Sequence, residues 1–262
     1  MSDVGPSSLF RSVETGDLDT VRSLLDADRK LVSAYGGVSY WRGSCTALQL
    51  AVEHGNREMV ELLLDRGADV NDKAELTNWA PLHLALKNGP LAEYLLARGS
   101  RMDIHAAAGL GDLASMQAIA AQSPDAIHAR GPDGATPLHF AATVEVAAWL
   151  LDRGADIEVR DQDHGMTPLA WQSSNREIAS LLMARGASVE NPFLAAAVGD
   201  AASLRVFLDS DPSLIHATTA EGDYYGAGAT LLHVAARNGH CEAVSLLWKG
   251  ALQPTREAVG AM

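Results

Sequence analysis

Thr136-Pro137-Leu138-His139-Phe140-Ala141-Ala142, followed by Val144-Glu145-Val146-Ala147-Ala148-Trp149-Leu150-Leu151 and closed by Asp152-Arg153-Gly154-Ala155-Asp156, is the stretch that decides the fold. Pro137 stands one residue inside a helical start, where its missing N–H costs nothing and its fixed φ suits the first turn. Gly154 stands just past a helical end, where a left-handed residue closes the helix. Two short helices in antiparallel order follow from this punctuation, and neither alone has enough apolar surface to stand in water.

The head of the unit returns as Thr46-Ala47-Leu48-Gln49-Leu50-Ala51, Ala80-Pro81-Leu82-His83-Leu84-Ala85, Thr167-Pro168-Leu169-Ala170-Trp171 and Thr230-Leu231-Leu232-His233-Val234-Ala235. The close returns as Arg66-Gly67-Ala68-Asp69-Val70, Arg98-Gly99-Ser100, Arg185-Gly186-Ala187-Ser188-Val189 and Lys249-Gly250-Ala251. A self-similar unit of about 33 residues headed by Thr-Pro-Leu-His resembles the ankyrin repeat. The resemblance covers nearly the whole chain and implies an all-α repeat solenoid of helix-turn-helix pairs joined by β-hairpin-like fingers. A finer likeness is to bacterial ankyrin proteins, whose units open with Ala-Ala-Ala-x-Gly-Asp.

A second kind of unit carries Gly-Asp, at Gly16-Asp17, Gly111-Asp112 and Gly199-Asp200. Each Asp stands where a helix begins, so its carboxylate is expected to accept backbone N–H bonds as a cap. Eight units are counted over one array spanning 1–262, at 7–36, 44–72, 78–103, 104–131, 134–161, 165–190, 191–217 and 228–251. The units headed by Ala80, Thr136 and Thr167 are trimmed between their helices, which predicts tight inter-helix turns. The tail 252–262 is too short for another pair and is expected to cover the last unit's outer face, unless a second copy of the chain does so.

With 20 Lys+Arg against 33 Asp+Glu the net charge is −13, which repels phosphate backbones and anionic lipid. Nucleic acid and membrane are therefore excluded as expected partners. No run approaches the roughly 18 apolar residues of a membrane span, and the start has no basic patch leading into an apolar stretch. Cys45 and Cys241 lie near opposite ends of the sequence, so in a stack where units touch only neighbours they are expected to be reduced thiols in a cytoplasmic protein.

Two connections exceed the minimal turn: 34–46, with Tyr40, Trp41 and Arg42, and 217–230, with Tyr224 and Tyr225. Long loops tipped with aromatics are more often functional than decorative. The third such connection, 130–135, is short and reads as ordinary. In ankyrin arrays the fingers and first helices line a concave face. The resemblance therefore implies that Leu50, Leu84, Ala106, Phe140, Trp171, Leu194 and Val234, each following the motif's His position, face a ligand. Phe140 and Trp171 in adjacent units are expected to form a patch, joined by Trp79 and His164 on the fingers. Tyr, Trp and Arg are the side chains that dominate interface energies.

His83, His105, His139 and His233 occupy the motif's His position, where the family bonds backbone with the imidazole. Spaced by whole repeats, they cannot converge on one ion, so neither a metal nor a cofactor is expected. Asp161, Asp163 and His164, with Asp133 one unit earlier at finger level, are the constellation closest to acid-base chemistry. The leading expectation is a non-catalytic scaffold that presents an aromatic-tipped groove to a protein or peptide. The alternative is an enzyme or small-molecule binder with a pocket between the long fingers over Phe140 and Trp171, using Asp133, Asp163 and His164.

Overall fold

A computed structural model of the protein describes residues 5–38, 44–74, 77–221 and 224–251. Tyr40, Trp41 and Arg42, and the tail expected to cover the last unit, lie outside the described residues. Sixteen α-helices are present among the described residues, with one two-stranded sheet. Contacts divide the chain into two compact units, Met1–Asp156 with Arg160–Gly165, and Ile157–Val159 with Met166–Met262.

The first unit contains the pairs α1 (Pro6–Thr15) and α2 (Leu18–Ala27), α3 (Ala47–Glu53) and α4 (Arg57–Asp65), and α5 (Pro81–Leu84) and α6 (Gly89–Ala97). It continues with α7 (Ile104–Leu110) and α8 (Leu113–Gln122), then α9 (Pro137–Phe140) and α10 (Val144–Asp152). The first helices form a row in which α1 packs on α3, α3 on α5, α5 on α7 and α7 on α9. The second unit contains α11 (Pro168–Trp171) and α12 (Arg176–Ala184), α13 (Pro192–Val198) and α14 (Ala201–Ser210), and α15 (Leu231–Arg237) and α16 (Cys241–Ala251). There α13 packs on α15 and α14 on α16.

A short polar residue starts nearly every second helix. The side chains of Asp17, Asn56, Asn88, Asp112, Thr143, Asn175 and Asp200 each accept a backbone N–H of the first turn. The three Gly-Asp carboxylates are thus caps, as the sequence predicts. Gly16, Gly111 and Gly199, each one residue earlier, are all left-handed, a conformation that costs a residue with a Cβ. The phrase after each Gly-Asp unit winds into a 3₁₀ turn, at Arg29–Ser33, Pro124–His128 and Pro212–His216.

The trimmed units shorten their first helix. α5, α9 and α11 have four residues each, where α3, α7, α13 and α15 have seven. The lost turn frees backbone groups that must be bonded elsewhere. In the fifth pair the Ala142 N–H donates to the Ala108 carbonyl of the preceding pair at 3.0 Å.

Cores run between the pairs. In the first unit Leu9, Leu48, Leu63, Leu82, Leu95 and Leu138 are almost fully enclosed, and in the second Leu169, Leu182, Leu204 and Leu231 are. Cys45 is buried and Cys241 exposed, both as free thiols.

Candidate binding surfaces at the finger ends

The motif histidines hold fingers to helices. Nδ1 of His83, His139 and His233 accepts the backbone N–H of Ala80, Thr136 and Thr230 at 3.1, 3.1 and 3.2 Å. An Nδ1 that accepts leaves the proton of a neutral ring on Nε2. His83 Nε2 accordingly donates to both oxygens of Asp103, at 3.0 and 3.1 Å, and His105 Nε2 donates to the Ala129 carbonyl at 2.9 Å. Burial works against the charge of Asp103, but His83 and the Ala106 N–H outweigh it and hold the carboxyl far below its usual range. Burial also holds His105 below the usual histidine range, although Asp103 lies 3.9 Å away.

The residues after the motif His depart from the expectation. Leu50, Ala106, Phe140, Leu194 and Val234 are buried, and Leu84 and Trp171 are half-buried. They fill the spaces between first helices, because close stacking of short helices leaves that side chain nowhere but the core. Phe140 lies beneath Trp79, edge to face at 5.8 Å, and beside His105 at 5.7 Å, so it offers little area to a partner. Trp171 ends α11 in the second unit, whereas Phe140 belongs to the first, and each is described within its own unit.

The short finger of the first unit holds what the long ones were expected to hold. Asp133 is 4% exposed and adopts φ 53°, left-handed without being glycine. Its N–H donates to the Thr77 carbonyl at 2.9 Å, and its own carbonyl accepts the Gln162 N–H at 2.9 Å, so it joins the finger ahead of α5 to the one that follows α10. The Trp79 indole N–H donates to Asp133 Oδ1 at 2.8 Å across 54 positions of sequence. Asp163, exposed on the next finger, adds its negative charge to the surroundings of the Asp133 carboxyl. His164 donates its backbone N–H to the buried Asp161 at 2.6 Å and keeps about half of its imidazole exposed, with Nδ1 3.6 Å from Asp161 Oδ1. Burial first, and Asp163 second, push Asp133 up to about 6, against the Trp79 donor and His164. Four sequence-predicted residues, Trp79, Asp133, Asp163 and His164, are therefore together.

In the second unit Tyr224 is 55% exposed, whereas Tyr225 is 9% exposed and stacked on Phe193 at 6.4 Å. The expectation that both tyrosines stand clear of the core is corrected for Tyr225. Thr219 closes the described ends of its finger from inside. The Thr219 hydroxyl donates to Gly226 O and accepts the Ala229 N–H at 2.9 Å, while Thr219 N–H donates to Ala229 O at 3.0 Å. The other long connection is a true hairpin, Tyr35–Val38 antiparallel to Ser44–Thr46. Sequence reasoning missed Tyr35, whose hydroxyl donates to Asp72 Oδ1 at 2.6 Å and pins that hairpin to the next finger. Tyr35 has no motif around it; only its place at the strand start beside a long loop could have drawn attention.

Among the described residues no group of three or more His, Cys, Asp or Glu side chains could hold a metal ion, and no helix is long and apolar enough to cross a membrane. Comparison with known sequences matches the profile "Ankyrin repeats (3 copies)" to residues 9–105 and 104–193, and "Ankyrin repeat" to 227–254. The chain belongs to the ankyrin repeat family. Its similar relatives include a putative ankyrin repeat protein of fowlpox virus (strain NVSL), 30% identical over 178 residues, which covers 63% of this chain and 45% of that one. Another is the mouse (Mus musculus) protein phosphatase 1 regulatory subunit 27, 45% identical over 71 residues, or 26% of this chain and 44% of that one. A third is the ankyrin repeat protein nuc-2 of Neurospora crassa, 28% identical over 199 residues, 69% of this chain and 19% of that one. This ankyrin repeat chain therefore spans less than half the length of each of these relatives. Ankyrin repeats generally mediate protein–protein interaction, which is the functional statement that membership carries.

Proposed function

We propose that this ankyrin repeat chain is a non-catalytic scaffold that binds a protein or peptide through side chains on its fingers. The observation that carries the reading is Tyr224, more than half exposed on a finger locked by Thr219 and by the buried Tyr225. An aromatic braced edge to face on a buried neighbour, with half its surface in water, offers a large apolar area, the property of an interface anchor. Trp79 and His164 on the first unit's fingers, and Tyr40, Trp41 and Arg42 of connection 34–46, which lie outside the described residues, are proposed as further contacts. Similarity to a phosphatase regulatory subunit supports an adaptor role. It does not name the partner.

The test is affinity capture with the parent chain and a Tyr40→Ala, Trp41→Ala, Tyr224→Ala variant, followed by titration of the captured, purified partner. Each lost anchor weakens binding by about 2 kcal/mol, so the triple variant should lose at least a thousandfold. Equal affinity of the two proteins sinks the finger reading. Tyr225 is left unchanged because its loss would disturb packing.

A second reading is favoured by the meeting of Asp133, Asp163 and His164, with Asp133 protonating near neutrality. Such groups suit general acid-base chemistry on a small molecule. A small molecule that co-purifies and is lost on Asp163→Asn would move the assignment to that reading.

A further inference from the structure

In the first unit the arginine that ends a second helix reaches back for a carboxylate. Arg66, after α4, donates from Nη1 to Asp26 Oδ1 at 2.6 Å and to the Arg22 carbonyl at 3.3 Å, and Arg98, after α6, donates from Nη2 to Asp65 Oδ1 at 2.7 Å. Each carboxylate belongs to the second helix of the preceding pair, and Asp26 stands as far beyond its capping residue Asp17 as Asp65 does beyond Asn56. Arg153 ends α10 in the same way, but the same step from Asp112, the cap of α8, reaches Ala121. With no carboxylate there, Arg153 makes no ion pair among the described residues, and its guanidinium carbon lies over the Trp149 ring, 4.0 Å from the centroid.

The small side chain leaves a space. A groove of about 720 Å³ lies between α8, the 3₁₀ turn Pro124–His128 and α10, with Ala121, Pro124, Ile127 and Trp149 as its apolar lining and His128 and Arg153 as its donors. Trp149 is 9% exposed, and its indole N–H is out of water with no hydrogen-bond partner among the described residues. A buried donor left unbonded is costly, so the groove lacks an acceptor at the indole as well as at the guanidinium.

We propose that this groove binds a single carboxylate carried on a partner peptide beside an apolar side chain, and that the carboxylate does for Arg153 what Asp26 and Asp65 do for Arg66 and Arg98. A guanidinium held flat on an aromatic ring keeps its planar fork free for a carboxylate. His128, exposed and with no hydrogen bond from its ring among the described residues, adds a second donor. Asp125 in the same lining and the net charge of −13 repel further negative charge, so one carboxylate among apolar neighbours fits and a polyanion does not. Ala121, Pro124, Asp125, His128 and Arg153 are all exposed, so the groove does not enclose a small acid and suits a segment anchored by its own chain. The lining comes from second helices and the turn after α8, not from the fingers, so the proposal stands or falls apart from the finger reading.

Asp26 and Asp65 each follow two leucines, which gives the probe acetyl-Leu-Leu-Asp-amide. Titration of the full chain with it is read at the Trp149 indole N–H signal in nitrogen-15 NMR, assigned with Trp149→Phe. The signal should move and saturate. An Asn in place of the peptide's Asp, or Arg153→Met in the chain, should weaken binding about tenfold or more, the loss of one charge-assisted pair. Ala121→Asp restores the carboxylate that α2 and α4 carry, so it should abolish the titration with the rest of the spectrum as in the parent. The absence of a saturable shift, equal binding of the Asn peptide, or an Ala121→Asp chain that binds like the parent overturns the proposal. So does either other occupant: hexanoate that binds as tightly as the peptide, or a dimer of the parent chain that Ala121→Asp dissolves.

Discussion

Connections 130–135 and 217–230 follow the same kind of Gly-Asp unit and reach opposite outcomes. The long one invests its residues locally: Thr219 closes it, Tyr225 packs on Phe193, and Tyr224 is left outside. The short one closes its backbone through Gly131 N–H to Ala135 O and Ala135 N–H to Pro132 O, but its Asp133 is satisfied by Thr77, Trp79 and Gln162 from other fingers. A loop long enough to fold on itself keeps its chemistry to itself, whereas a minimal loop borrows partners from its neighbours. Repeat stacking brings those neighbours into register, so the pairing is made by the array and not by the loop.

Leu138, fully enclosed in α9 just after the short finger, gives the largest test of that contrast. Leu138→Ala should cost about 2–5 kcal/mol in thermal or denaturant unfolding, because the close-packed pairs around it cannot collapse fully into the cavity. A loss like that of His164→Ala, expected at about 0.5 kcal/mol or less for an exposed tip, would show that core and finger have been confused. On the long finger, Tyr225→Ala should cost about 2–4 kcal/mol as a stacked, buried ring is removed, while Tyr224→Ala stays within about 0.5 kcal/mol. Equal costs would mean that the long finger is not self-supporting.

Smaller but more specific is Trp79→Phe, which keeps a ring against Phe140 and deletes the donor to Asp133. A cost of about 1–2 kcal/mol is expected at pH 7.5, where Asp133 is ionised and its charge needs that donor, and less at pH 5. The Asp133 midpoint should move above about 6, since the indole N–H is one of the groups holding it down. A midpoint that stays still or falls would show that the short finger does not depend on its neighbour.

Much was legible in one dimension. Thr-Pro-Leu-His heads, Gly-Asp caps and the trimmed units are local signals, set by which residue tolerates a left-handed φ, caps a helix or starts a first turn. The caps at Asp17, Asp112 and Asp200 stand where the sequence puts them, whereas the trimmed units shorten α5, α9 and α11 instead of tightening the turns that follow. The burial of residues that follow the motif His was misjudged at Phe140, because whether a side chain lines a groove or a core depends on how closely the next helix approaches.

The sequence by itself determined the repeat and the helix caps, which follow from backbone preference within a few residues, while the part played by the motif histidines came with the family resemblance. Only the tertiary structure decided that Trp79 reaches Asp133, that burial raises the Asp133 carboxyl, and that Tyr225 is enclosed while Tyr224 stays more than half exposed. Those outcomes are set by burial and by distances between fingers, and a carboxyl's pKa or a ring's exposure has no value until the neighbours that remove its water are in place.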